Sequence, residues 1–500
     1  MRMLHETGEQ MVWGRIAGCL TAYAVMAAPA LAQHDIPVTF ETTPCPERIA
    51  QGEKVECGVL SVPENRGMLS DRMVKLPVTI FRSRSATPAA DPVVFLAGGP
   101  GLSNQGPRSG ASDPFLDERD RIYLEPRGAR FSSPRLECPE FADAKLEIAV
   151  GRTAWVAQEN AQVSAARTCR ARLMAEGVDL SGYVSTEAAD DIEDLRATLG
   201  LGQINLYGLS YGTRLALTVV RRHPETVRSV ILDSVLPPEA AFDETASNNI
   251  LRTLNMVFDG CAVDAACAAA YPDLRAKFAS LIAEADRKPL AVGARDAYGR
   301  PVIVRGAQVA NAFYEALHDV KRLGDMPRLI ADVAGGRHDL LAPMFDGMTG
   351  AGFAWGLRLS TWCAEEMPFE NVGRMTGQVS PALGLGGVDE RTATPDVCRT
   401  WNVPTAAAEE NTAVRADTPM LIYSGAFDPD TPTDWARGQL DSLPNARLVI
   451  MPGESHGASF SACATSISVA FLRDPKAPLN MDCVTRMPGP DFGASARQRP

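Results

Sequence analysis

Histidine is scarce in this chain, at six in 500 residues, and no Cys-x-x-Cys pair occurs. A zinc site is therefore not expected. The sequence also lacks a phosphate loop and a dinucleotide glycine fingerprint with its downstream acid, so no cofactor of any kind is expected. Basic residues are outnumbered, 49 Lys and Arg against 61 Asp and Glu, which leaves a formal net charge of -12. The basic residues are scattered, so nucleic acid and anionic lipid surfaces are repelled rather than bound. Long apolar runs are missing as well: the longest, Ile16–Met26, is too short to span a bilayer as a helix. What remains, 45% hydrophobic and 22% charged, is the composition of a globular protein able to bury a large core.

The apolar run near the start follows Arg15 and ends before Ala30-Leu31-Ala32, the pattern of a secretory signal cleaved after Ala32. Translation from Met3 or Met11 would shorten its polar start. Ile16-Ala17-Gly18-Cys19 has the look of a lipoprotein box, but the apolar run follows the cysteine instead of preceding it. Residues 1–32 are thus read as a signal peptide, and the mature chain as periplasmic or secreted with no stable membrane insertion. Cleavage removes Cys19 and leaves ten of the 11 cysteines, an even number that suits an oxidising compartment. Nearest neighbours give Cys45/Cys57, Cys138/Cys169, Cys261/Cys267, Cys363/Cys398 and Cys463/Cys483, a pairing that spacing suggests but does not fix.

Two segments alternate short apolar runs with helical patterns, which predicts an α/β fold with a mostly parallel central sheet. The first carries strands at Val74–Phe81, Pro92–Ala97, Arg121–Leu124, Gln203–Tyr207 and Val227–Asp233, with helices at Thr186–Leu199 and Thr213–Arg222. The second carries strands at Met420–Ser424 and Arg447–Met451, and helices at Asp434–Ser442 and Ser461–Leu472. Between them lie alanine-rich stretches such as Ala265–Asp286 and Gly306–Leu317, which read as helices. The predicted organisation is a first core part over 33–236, a helical lid over 237–415 and a second core part over 416–500. The Pro/Gly-rich tail after Met487 is expected to be loose.

Gly208-Leu209-Ser210-Tyr211-Gly212 carries the sharpest chemical signal. A serine hydroxyl is a weak nucleophile unless a tight strand-to-helix turn projects it toward a base. The motif sits between a predicted strand and a predicted helix, as that chemistry requires. In such a fold the acid and then the histidine follow in chain order. His34 lies near the mature start, His223 at a helix end, and His318 and His338 in the lid, where they are expected to face solvent. His456 directly follows a strand and is the expected base. The loop Gly425-Ala426-Phe427-Asp428-Pro429-Asp430 offers two acids; Asp428 is nearer the strand, while Asp430 could cap the next helix. Ala97-Gly98-Gly99-Pro100-Gly101 follows a strand and offers backbone N–H groups. With Tyr211 N–H, Gly98 or Gly99 would meet an oxyanion, each such donor being worth roughly 3–4 kcal/mol of barrier.

These elements together resemble the proline iminopeptidase and tripeptidyl aminopeptidase branch of the serine α/β-hydrolases. The likeness rests on the serine elbow, Gly425-x-x-Asp428-Pro429-x-Thr431-Pro432, Ser455-His456-Gly457 and the glycine loop. It covers roughly residues 40–236 and 415–485. The branch's loop reads His-Gly-Gly-Pro-Gly, where this chain has Ala97; its Asp-x-Arg-Gly turn is Glu125-Pro126-Arg127-Gly128 here. The resemblance implies an α/β-hydrolase fold with an inserted lid, and lid carboxylates that bind a substrate ammonium. Glu365 and Glu366, beside Trp362 and Cys363, are the candidates; two glutamates on a solvated helix face are an equal alternative. The expected activity is removal of N-terminal residues or short peptides through an acyl-enzyme. Hydrolysis of small non-peptide esters or amides stands as the alternative, and a silent binding protein as a third. The sequence leaves oligomeric state open.

Overall fold

The computed structural model describes residues 37–46, 54–68, 70–105, 113–377 and 393–497. The signal segment, Cys19 and His34 lie outside the described residues. Among the described residues eleven strands form two sheets: β1 (Thr39–Thr43), β2 (Val55–Pro63), β3 (Met73–Phe81), β4 (Val93–Leu96), β5 (Arg121–Leu124), β6 (Ile204–Leu209), β7 (Val227–Asp233), β8 (Leu290–Arg295), β9 (Pro301–Val304), β10 (Met420–Gly425) and β11 (Ala446–Met451). The large sheet has nine strands in the order β1-β2-β3-β5-β4-β6-β7-β10-β11. Pairing is antiparallel from β1 to β5 and parallel from there to β11.

The parallel strands are short apolar runs because helices cover both faces. Every residue of β4, β5 and β10 is buried, and five of six in β6. These are the strands most legible in the sequence. β1 and β2 were not expected; β1 is a mostly exposed edge and β2 alternates, so neither presents an apolar run.

The insertion between β7 and β10 is not purely helical. Leu290, Val292 and Ala294 are buried at every second position of β8, and β8 pairs with β9 as a hairpin. The stretch Ala265–Asp286 is two helices, Ala265–Ala270 and Leu274–Arg287, rather than one. The break falls at Pro272, which lacks an amide donor, and Asp273, whose φ of +55° is left-handed. Two further helices, Pro139–Ala149 and Trp155–Ala175, cross over between β5 and β6 and are stapled by Cys138–Cys169. The other four bonded pairs are Cys45–Cys57, Cys261–Cys267, Cys363–Cys398 and Cys463–Cys483.

The apolar interior also divides the insertion. Residues between Ile250 and Phe345 form a second cluster, joined by Leu146 and Val150 from the crossover and by Phe427 and Phe492 from the second core part. Leu357, Trp362, Val397 and Trp401 instead pack into the core of the sheet. The lid predicted over 237–415 therefore has two parts, one with its own apolar cluster, which also takes in Phe427 and Phe492, and one continuous with the core of the sheet.

Over its described part, which ends at Arg497, the tail after Met487 is anchored rather than loose. Phe492 is 7% exposed, packs against Phe427 with ring centroids 6.1 Å apart, and sits over Gly260. An aromatic ring this apolar outweighs the conformational freedom that proline and glycine would otherwise leave. Phe492→Ala should lower stability by about 3 kcal/mol, read as a shift in the denaturant midpoint; an unchanged midpoint would mean the tail contributes nothing to the fold.

Candidate active site

Ser210 stands between β6 and the helix Tyr211–Arg222, in a backbone conformation few side chains adopt (φ +56°, ψ −125°). Holding a non-glycine residue there costs on the order of 1–3 kcal/mol. The surroundings enforce it. A side chain on Gly208 would collide with the Gly212 carbonyl, and one on Gly212 with the Leu96 carbonyl. Ser210 N–H donates to the Asp233 carbonyl at 2.9 Å, and its own carbonyl accepts from Thr213 N–H at 2.8 Å.

Two loops of the sheet's carboxyl edge bring the other groups in. Asp428, fully buried after β10, accepts from His456 Nδ1 with both oxygens, at 3.1 and 3.0 Å. Thr431 N–H (2.9 Å), Thr431 Oγ1 (2.7 Å) and Asp430 N–H (2.9 Å) hold the same carboxylate. Burial favours its neutral form, but His456 and these donors outweigh it and keep Asp428 below the usual carboxylate range. Burial likewise pulls His456 down, while Asp428, Asp430 and Asp233 more than reverse this and hold the imidazole above its ordinary value. With Nδ1 donating to Asp428, the second ring nitrogen remains to accept a proton.

His456 is carried by a loop that Asp233 anchors. Its buried carboxylate accepts Ala458 N–H at 2.8 Å, Ser459 N–H at 3.0 Å and the Ser459 hydroxyl; Ser234 Oγ takes Gly457 N–H at 2.8 Å. Gly457 lies against Leu209, next to Ser210: a Cβ there would sit 3.7 Å from Leu209 Cδ1. Among the described residues Ser210 Oγ and His456 form no hydrogen bond; such contacts often run long until substrate tightens them. Gly98 packs on the serine, where an added Cβ would lie 3.0 Å from Ser210 Cβ. Tyr211 N–H is the first amide of its helix and has no acceptor within the helix. The Gly99 carbonyl accepts from Arg358, whose guanidinium lies 3.7 Å over the Trp362 ring. Burial pulls Arg358 down to about 10, still a cation at neutral pH.

Ser210 and Gly99 open onto a cavity of about 360 Å³. Phe242, Phe353, Trp355 and Trp362 give it aromatic walls, and Lys145, Arg358, Glu315 and Asp430 bring charges to it.

Three sequence expectations change. Glu365 and Glu366 do not reach the cavity: they are 3% and 2% exposed. Glu365 accepts Ser185 N–H at 2.5 Å and Ser185 Oγ at 2.6 Å, and Glu366 pairs with buried Arg214. A guanidinium this deep requires carboxylate partners, and it consumes both that the sequence offered for an ammonium. Ser185 Oγ also meets the Tyr211 hydroxyl at 2.7 Å, so this network stands behind the elbow. His318 is half-buried rather than turned fully to solvent; its Nε2 lies 3.1 Å from Asp430 Oδ2. Asp430 caps no helix, because Tyr314 Oη at 2.6 Å and His318, one turn apart on the lid, claim both its oxygens. His223 ends its helix as expected and meets Asp190 at 2.8 Å. Glu315, Arg358 and Asp233 had no motif to mark them, since only the fold brings them near Ser210.

A profile of the alpha/beta hydrolase fold matches residues 91–462, which includes the elbow, the acid loop and the histidine loop. The chain belongs to the α/β-hydrolase family. Serine protease Hip1 of Mycobacterium tuberculosis is 24% identical over 511 residues, covering 92% of this chain and 95% of that protein. The putative hydrolase YuaR of Escherichia coli is 30% identical over 195 residues, 36% of each chain. A tripeptidyl aminopeptidase of Streptomyces coelicolor is 26% identical over 196 residues, 37% of this chain and 36% of that one. The match thus spans about a third of the length of the latter two. A solved proline iminopeptidase from Mycobacterium smegmatis covers 83% of this α/β-hydrolase and 98% of its own chain, at 16% identity and a TM-score of 0.37.

Within this α/β-hydrolase, Asp233 links the serine and histidine loops by buried hydrogen bonds alone. Asp233→Ala leaves two buried amides unpaired and should cost about 2–3 kcal/mol. Hydrogen exchange should quicken at Ala458 and Ser459, and unchanged protection there would show that the loop does not depend on this carboxylate.

Proposed function

We propose that the protein is an exported serine exo-aminopeptidase that removes N-terminal residues or short peptides through an acyl-enzyme. The observation that carries the substrate class is the pairing of Ser210 with Glu315 in one cavity. Glu315 is solvent-exposed there, and its carboxylate makes no hydrogen bond to any described residue. A carboxylate so disposed suits a substrate ammonium. The names of the relatives, a serine protease and a tripeptidyl aminopeptidase, point the same way.

In this reading Ser210 Oγ attacks the scissile carbonyl carbon while His456 takes the hydroxyl proton and Asp428 steadies the imidazolium. The carbonyl oxygen becomes an oxyanion facing Tyr211 N–H and the N–H of Gly98 or Gly99. Collapse breaks the C–N bond, and the imidazolium gives its proton to the departing amine. Water, deprotonated by His456, then attacks the ester carbon; the N-terminal fragment leaves as an acid and Ser210 regains its proton. A cavity of about 360 Å³ favours short peptides over folded chains. Five disulfides support an exported protein.

A second reading, hydrolysis of small non-peptide esters or amides, draws on the aromatic walls, which suit an apolar acyl group. Paired substrates separate the two. Aminoacyl anilides should turn over far faster than their N-blocked counterparts, and Glu315→Gln should raise KM for the free amines about tenfold while leaving simple acyl esters unaffected. Equal rates on blocked and free substrates would favour the esterase. Ser210→Ala should abolish fluorophosphonate labelling and lower turnover by about a million-fold.

The pH profile has a definite sign. The neutral imidazole is the working base, and its folded value lies above the ordinary 6.5, so kcat/KM should rise with pH along a limb centred above 6.5. The stability that His456 contributes is fully present below about 6.5 and is lost as pH rises through the folded value. A limb centred at or below 6.5 would contradict the triple-carboxylate surroundings.

A further inference from the structure

Asp430 is shared by two imidazoles. Its Oδ2 lies 3.1 Å from His318 Nε2 and 3.9 Å from His456 Nδ1, and the two rings meet edge to face with centroids 5.8 Å apart. Tyr314 Oη donates to Oδ1 at 2.6 Å, so each carboxylate oxygen has a partner from the lid. The second nitrogen of His318 matters as much. Nδ1 lies 3.2 Å from the Tyr314 carbonyl, so both ring nitrogens face acceptors. A neutral imidazole has one N–H; only the imidazolium satisfies both contacts.

We infer that His318 and Asp430 are positioning residues that tune the basicity of His456 in opposite directions: the aspartate raises it and the charged lid histidine restrains it. The inference rests on His456 being the base of the proposed reaction. The electrostatics of the pocket are consistent with it. His456 faces Asp428 and Asp430 from the acid loop, Asp233 from the end of β7, and His318 from the lid. His318 faces Asp430, His456 and, one turn earlier on its own helix, Glu315. Arg358 across the cavity and Arg252, which donates to the Ala426 carbonyl at 3.3 Å and to that of Asp428, complete the charges around the acid loop. Burial pulls His318 down, yet Asp430 holds it above its ordinary value. The cation near His456 therefore depends on the same carboxylate that favours protonation of His456.

Titration of His456, followed through side-chain ¹⁵N resonances in histidine-labelled protein, tests this without turnover. Asp430→Asn removes the carboxylate and with it the charge on His318, so the nearer anion decides and the His456 midpoint should fall by about half a pH unit. His318→Gln, which keeps a donor for Asp430, should instead raise it by about one unit. The double variant should match Asp430→Asn alone, because His318 is neutral at working pH once its carboxylate is gone. Midpoints that stay at the wild-type value in both single variants, or move the same way, would overturn the inference; so would simple additivity in the double variant. The rate of Ser210 inactivation by a fluorophosphonate, measured against pH, separates the two levels. Wild-type protein that is never labelled contradicts the hydrolase reading itself, whereas labelling with unmoved histidine midpoints contradicts only the role of His318 and Asp430.

Discussion

A single buried carboxylate keeps the serine and histidine loops in register. Asp233 closes β7, where its carbonyl takes the amide of Ser210 and its side chain takes two amides and a hydroxyl of the histidine loop. Burial pushes this carboxyl up toward its neutral form, against the pull of the same donors. The arrangement joins a strained elbow on one strand to a loop beyond another, with no covalent bond between them. Asp428 then needs only to orient a ring whose backbone is already fixed.

The elbow, the acid and the histidine were legible because each is a short motif next to a buried parallel strand, and such strands are unbroken apolar runs. Ser210, Asp428 and His456 can be found by reading along the chain. Glu365 and Glu366 misled for the opposite reason. Their types and spacing suit ammonium binding, but nothing local reveals that Arg214, some 150 positions earlier, lies buried against them. His318 and Glu315 carry no local signal at all. Their helix was predicted to the residue, yet which face met the acid loop depended on tertiary packing. The hairpin β8–β9, the edge strand β1 and its neighbour β2 were lost to weak amphipathic patterns, and Phe492 to the assumption that a tail rich in proline and glycine does not pack.

The burial of Glu365 and Glu366 gives them a different place in the molecule. With Arg214, Ser185 and the Tyr211 hydroxyl they form a polar plug under the first turn of the elbow helix. That turn carries the amide proposed to meet the oxyanion. Charges so deep are costly unless every partner is present, so this cluster fixes one arrangement of the turn rather than a range.

The five disulfides have a consequence for motion. Each closes a loop of 6 to 35 residues, and none reaches from the part of the insertion between Ile250 and Phe345 to the sheet domain. Oxidation therefore stiffens the separate pieces and leaves the seam between them uncrosslinked. That seam is closed by contacts such as those of Tyr314 and His318 with Asp430, which can part and re-form without any sulfur chemistry.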